Sequence, residues 1–95
     1  MKIATSRSVS AGACGAPPTN PITCSTDVFV SGAGVLRLGD LWLEHCKVSD
    51  CHEPMIVSAS KDVFVNGRGV ARAYDALSCG DFIATGDERV GVDVL

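Results

Sequence analysis

An all-β fold assembled from a short repeat is predicted by three observations. The segment Asp62–Asp75 repeats the segment Asp27–Asp40 at an offset of 35 residues. Both copies open on Val-Phe-Val and then reach a glycine turn. The hydrophobic content of 46 % is rich in Val, Ala and Gly and is set against only 20 % charged residues, which suits a narrow β core with little helix. Matched position by position, 9 of 14 residues in the two copies are identical, and self-similarity at a fixed period marks a repeat architecture. Val-Phe-Val is β-branched and aromatic, and Asn66-Gly67 is a strong two-residue turn signal because both positions tolerate positive φ. Ser31-Gly32 is a weaker version of it. Units 27–40 and 62–75 therefore read as hairpins whose second arm runs to an Arg and closes on an Asp.

The remaining elements follow in chain order. At 95 residues the chain is one domain, 1–95, and a chain so small removes only about two thirds of its unfolded surface from water. A staple is expected, and five Cys and two His are present to make one. Residues 1–13 read as an N-terminal arm or first strand. Ala16-Pro17-Pro18-Thr19-Asn20-Pro21 excludes helix and central strand, so it is a loop. The stretch Leu41–Pro54 holds the only Trp, both His and two of the Cys. Met55-Ile56-Val57 reads as a short strand, and residues 82–95 as a third, truncated unit.

The third unit can be tested by counting. From His52 to Val63 is 11 positions, from Cys79 to Val90 is 11, and from Cys14 to Val28 is 14, the excess falling in the Pro-rich loop. A potential metal ligand thus recurs at an equivalent place in each unit. Units packed about a pseudo-threefold axis would bring Cys14, His52 and Cys79 together at one end, with His45 as the fourth donor. Two imidazoles and two thiolates make a structural zinc set, whose binding energy becomes folding energy. Cys46 and Cys51 are alternatives for one of the four, or a disulfide pair. Arg37 with Asp40, and Arg72 with Asp75, are spaced as ion pairs, the alternative being solvated charges.

Several functions are excluded. A net charge of −3 supplies no basic field for nucleic acid. The N-terminus lacks a signal-peptide apolar run, and nowhere do roughly 18 apolar residues follow one another, so synthesis in the cytoplasm without a membrane span is expected. An enzyme would need Cys51 with His52, or Cys46 with His45, as nucleophile and base, but adjacent strand residues point to opposite faces. No phosphate loop or serine elbow is present, so neither catalysis nor a small-molecule substrate is expected.

At these residues the chain resembles the PAAR-repeat proteins, the sharpened tips of contractile injection machines such as phage tails and type VI secretion systems. The pattern Val-Phe-Val-Asn-Gly-x-x-x-x-Arg-x-x-Asp over Val63–Asp75, then Cys79-Gly80, carries the resemblance, with a weaker copy at Val28–Asp40. The His45-Cys46 to Cys51-His52 segment looks like the loop of the small phage-type members. The resemblance implies a small cone of three pseudo-repeats with an apical metal, zinc first and iron as the alternative. It implies Cys14, His45, His52 and Cys79 as ligands, with Cys14-Gly15 standing where the family has His-Gly. The tetrapeptide reads Gly34-Val35-Leu36-Arg37 and Gly69-Val70-Ala71-Arg72, and the third unit lacks the aromatic.

The function so implied is that of a membrane-piercing tip, one per trimeric β-helical spike, docked through Val28, Val30, Val63 and Val65 and acting on the target cell envelope. Its expected place is the virion, at the tail baseplate. The alternatives are a type VI secretion or tailocin tip, secreted by the contractile device, and a zinc-stabilised binding module unrelated to injection.

Overall fold

The computed structural model describes residues 1–12, 17–47 and 50–93, with His45–Lys47, Asp50 and His52 described through their backbone. Eight short strands occur among the described residues: β1 (Lys2–Ile3), β2 (Phe29–Val30), β3 (Ala33–Gly34), β4 (His45–Lys47), β5 (Asp50–His52), β6 (Phe64–Val65), β7 (Arg68–Gly69) and β8 (Asp87–Gly91). No helix occurs among the described residues, so the small all-β domain expected from composition is found. The strands form four antiparallel pairs, β2 with β3, β4 with β5, β6 with β7, and β1 with β8.

The two repeated hairpins turn where the glycine signals stand. Ser31 and Gly32 have φ of 52° and 80°, and Asn66 and Gly67 have 55° and 76°, the left-handed pair that suits a two-residue hairpin turn. Gly34 and Gly69, one position before the buried Val of each second arm, are glycine for a different reason. A Cβ on Gly34 would lie 2.5 Å from both the Cys24 sulfur and the Ser25 carbonyl oxygen, and a Cβ on Gly69 would collide with the Ser60 carbonyl. The absent side chain lets the incoming segment cross the hairpin at backbone contact.

Three segments distant in sequence then bond in a closed ring. The Ala4 N–H donates to the Ala71 carbonyl at 3.0 Å, the Ala71 N–H to the Leu36 carbonyl at 2.9 Å, and the Leu36 N–H to the Ala4 carbonyl at 3.0 Å. Antiparallel bridges Thr5↔Val35, Arg37↔Val70 and Ile3↔Arg72 flank these bonds. Segment 3–5 thus occupies the role that 35–37 and 70–72 occupy in the two repeats. Its hairpin is assembled from both ends of the chain: β8 supplies one arm and β1 the other, with Lys2 opposite Gly91. Asp93, with φ of 56°, adopts the conformation of Ser31 and Asn66. The last strand, expected around Val90–Leu95, is Asp87–Gly91 and pairs with β1, while Val94 and Leu95 lie outside the described residues.

Side chains on the two sides of this ring make the core. Ile3, Val35, Val70 and Val92 form one buried cluster, with Val30, Val65 and Val90 packed against it. Ala4, Leu36, Ala71, Trp42, Ile56, Leu77 and Ile83 form the other. Met55-Ile56-Val57, expected as a strand, contributes the single bridges Leu41↔Met55 and Ile56↔Leu77 instead. The molecule measures 38 by 25 by 23 Å, one long axis and two nearly equal short ones.

Candidate functional site

Two regions could do work on a partner or a metal, and both are positioned by an ion-pair frame. Asp40 is 1 % exposed and accepts from the Arg37 backbone N–H (2.7 Å), the Arg37 Nε and Nη2 (3.0 and 2.9 Å) and the Thr23 hydroxyl (2.8 Å). Asp75 repeats the arrangement with the Arg72 N–H, Nε and Nη2 and the Ser58 hydroxyl. The Thr23 hydroxyl also accepts from the Leu41 N–H, and the Ser58 hydroxyl from the Ala76 N–H. Every lone pair direction of the buried carboxylates is used, which is the condition for burying charge.

Each arginine also reaches the next hairpin. Arg37 Nη1 donates to Asn66 Oδ1 at 2.9 Å, and Arg72 Nη1 to the Asp93 carboxylate. The Ser25 and Ser60 hydroxyls donate to the same two residues at 2.8 and 2.9 Å. The third turn residue, Ser31, takes Arg89 Nη1 on its hydroxyl and Arg7 Nη1 on its carbonyl. The three left-handed turns are therefore each fastened to a neighbouring unit.

The electrostatics follow. The hydrogen bond to Asp40 raises the Arg37 pKa above its ordinary value, and Arg72 is raised likewise by Asp75. Burial pushes the Asp40 carboxyl up, but the bonds from Arg37 and Thr23 outweigh it and hold the group below the usual carboxylate range. The Arg89 backbone N–H and the Ser31 hydroxyl lower Asp87.

The first region is apolar and exposed. Val28 and Val63, two of the four expected docking residues, lie on the surface, whereas Val30 and Val65 pack on the buried valine cluster. The aromatic between each pair is more exposed still, 57 % for Phe29 and 59 % for Phe64. Alternation holds within Phe29–Val30 and Phe64–Val65, whereas Val28 and Val63 stand just before β2 and β6 and are exposed beside the aromatics. Tyr74, 71 % exposed, holds φ of 77° at the place equivalent to Gly39, a conformation unusual for a bulky residue.

The second region is where the three connections between units adjoin. The Leu43 N–H donates to the Asn20 carbonyl and the Ser78 N–H to the Met55 carbonyl. The Gly12 N–H donates to Asp81 Oδ2 at 3.0 Å. Links 11–20, 43–55 and 78–82 thus border one another, and each carries at least one of the expected ligands. Cys14 lies outside the described residues. His45 and His52 are direct cross-strand partners in β4–β5. Cys79 is half-buried against the Trp42 and Ile56 cluster. Among the described residues no three His, Cys, Asp or Glu groups are gathered closely enough to hold a metal. Cys51 is disulfide-bonded, which removes it from the thiolates open to a metal. Sequence reasoning had left that choice open.

Comparison with known families finds a match to the profile described as PAAR motif, which covers residues 11–85. No curated protein matches the chain.

Asp40 gives this frame a pH dependence. Its folded pKa is depressed, so its stabilisation is complete above the unfolded carboxylate value near about pH 4 and is lost as the pH falls through the lower folded value. Asp40→Asn leaves the partly buried Arg37 without its charge partner and is expected to cost up to about 3 kcal/mol at pH 7. Denaturant titrations between pH 7 and pH 2 should show that deficit shrinking as the wild type acidifies.

Proposed function

We infer the function from the family: the chain belongs to the PAAR-motif family, whose members are structural spike tips of contractile injection systems and not enzymes. Tips of this family sit on a trimeric VgrG-type spike. From that premise we infer that this chain is a metal-stabilised, membrane-piercing cone that caps a trimeric β-helical spike, one copy per trimer, in a contractile phage tail. A type VI secretion or tailocin spike is the second setting, because the mechanics there are the same.

The closed ring through Ala4, Leu36 and Ala71 carries this reading. A single chain with three similar sectors about one axis offers three similar surfaces to three identical subunits, and it covers strand edges that would otherwise associate nonspecifically. Val28 and Phe29 in one sector recur as Val63 and Phe64 in the next, all four apolar and exposed. The 38 Å long axis with near-equal cross-section suits a point loaded along its length. Force from sheath contraction would then be concentrated on the target envelope, and no bond need be made or broken.

The residues present fit a structural zinc by the chemistry of their donors. Cys14, His45, His52 and Cys79 supply two thiolates and two imidazoles from connections that adjoin one another. Bound there, the metal would tie the three links together and add its binding energy to folding.

Docking is tested by mixing the protein with a trimeric β-helical spike and measuring affinity and stoichiometry. One tip per trimer is expected, with Phe29→Asp and Phe64→Asp each weakening binding at least about tenfold while leaving the melting temperature unchanged. A one-to-one ratio of tip to spike chain, or indifference to both substitutions, would contradict the reading.

The metal is tested separately by X-ray fluorescence on protein purified without added metal. About one zinc per chain is expected, and a strong chelator should lower the melting temperature by about 10 °C or more. Cys14→Ser should reproduce much of that loss. Metal-free protein with an unchanged melt would remove zinc from the account and leave the docking reading standing.

A further inference from the structure

We propose that the disulfide of Cys51 is closed with Cys46 and acts as a redox-controlled clasp on the β4–β5 hairpin. Cys51 is disulfide-bonded, while Cys24 and Cys79 carry thiols, so the partner is Cys14 or Cys46. The ladder singles out Cys46: it is the direct partner of Cys51, between the pairs His45↔His52 and Lys47↔Asp50. Only Val48 and Ser49 separate Lys47 from Asp50, so alternation along the ladder makes Cys46 and Cys51 the non-hydrogen-bonded pair. Such pairs have Cα atoms about 4.5 Å apart, inside the range of about 4.4–6.8 Å that a disulfide spans.

The hairpin needs such a clasp. From Trp42 to Ile56 the connection runs 14 positions, whereas the equivalent link from Leu77 to Ile83 runs 6. The extra length is spent on β4 and β5, which among the described residues form a two-stranded sheet of their own. A lone two-stranded hairpin is at best marginally stable in water. The disulfide holds its strands in register, and with them the backbone positions of His45 and His52.

The chemistry balances through thiol–disulfide exchange. The two thiols lose two protons and two electrons and gain one S–S bond, and a low-molecular-weight disulfide oxidant accepts both and is released as two thiols. A dithiol reductant reverses the step. A tip that leaves a reducing compartment for an oxidising one acquires the bond. Once closed, it withdraws Cys46 and Cys51 as metal ligands, since only thiolates coordinate. The set left is Cys14, His45, His52 and Cys79. The proposal does not depend on docking to a spike.

The test uses the full chain, alkylated under non-reducing conditions, digested with trypsin and analysed by mass spectrometry. The peptide Leu38–Lys47 should be recovered covalently linked to Val48–Lys61. Linkage of Val48–Lys61 to Ser8–Arg37, or alkylated Cys51, overturns the pairing. In the folded protein, reduction should speed tryptic cleavage after Lys47 at least tenfold and leave cleavage after Arg37 and Arg72 unchanged. A Cys46→Ser, Cys51→Ser double variant should be cleaved at that faster rate in both conditions. Equal cleavage of oxidised and reduced wild type would show that the bond clasps nothing.

Discussion

Everything in this small fold depends on a ring of three backbone hydrogen bonds, Ala4 to Ala71, Ala71 to Leu36 and Leu36 to Ala4. Each of the three residues is fully buried, so no water can replace a lost partner. A hydrogen bond adds only about 0.5–1.5 kcal/mol net, but an unmade buried one costs about 1–3 kcal/mol. Closure couples the three: the N-terminal segment cannot leave without orphaning an acceptor on Ala71 and a donor on Leu36. This is how strands of two residues, each too short to persist alone, make a stable wall.

The ring also explains why the charges could be buried. Arg37 and Arg72 directly follow the ring residues Leu36 and Ala71, and the turn after each returns Asp40 or Asp75 to the backbone N–H of the same arginine. The segment 3–5 does the same with uncharged groups, Ser8 Oγ accepting from the Thr5 N–H at 3.0 Å. The three sectors are thus built to one plan and fastened differently. Their surfaces are similar but not identical: two sectors carry Phe29 and Phe64, and Gly91 holds the corresponding register position in the third.

Much of this was legible in the sequence, and the remainder was hidden for definable reasons. The hairpins at 27–40 and 62–75 show themselves because Ser31-Gly32 and Asn66-Gly67 fix the turns and the offset is constant. The third sector is obscured because its arms lie at opposite ends of the chain. Its spacing from the second copy is also shorter, as Val90 follows Val63 by 27 positions and not 35. Arg37 and Asp40 looked as much like solvated charges as an ion pair, because their burial comes from Thr23, Arg68 and Asn66, which local spacing cannot reveal. Counting from the valines assigned Cys14, His52 and Cys79 to corresponding links. What it could not show is that those links touch through Gly12 with Asp81 and Ser78 with Met55. The exposed Phe29 and Phe64 were passed over in favour of the valines beside them, because the face each residue presents is fixed by the packing of Val30 and Val65 on the buried valine cluster, which the sequence does not display.

The most direct test of the central claim is native-state hydrogen exchange of the three ring amides. If the ring closes as described, Ala4, Leu36 and Ala71 exchange at one common rate, set by global unfolding and slowest in the molecule. Exchange at Ala4 many times faster than at Leu36 and Ala71 would mean that the N-terminal segment detaches while the two repeats stay folded. The closed three-sector ring would then not be what holds this protein together.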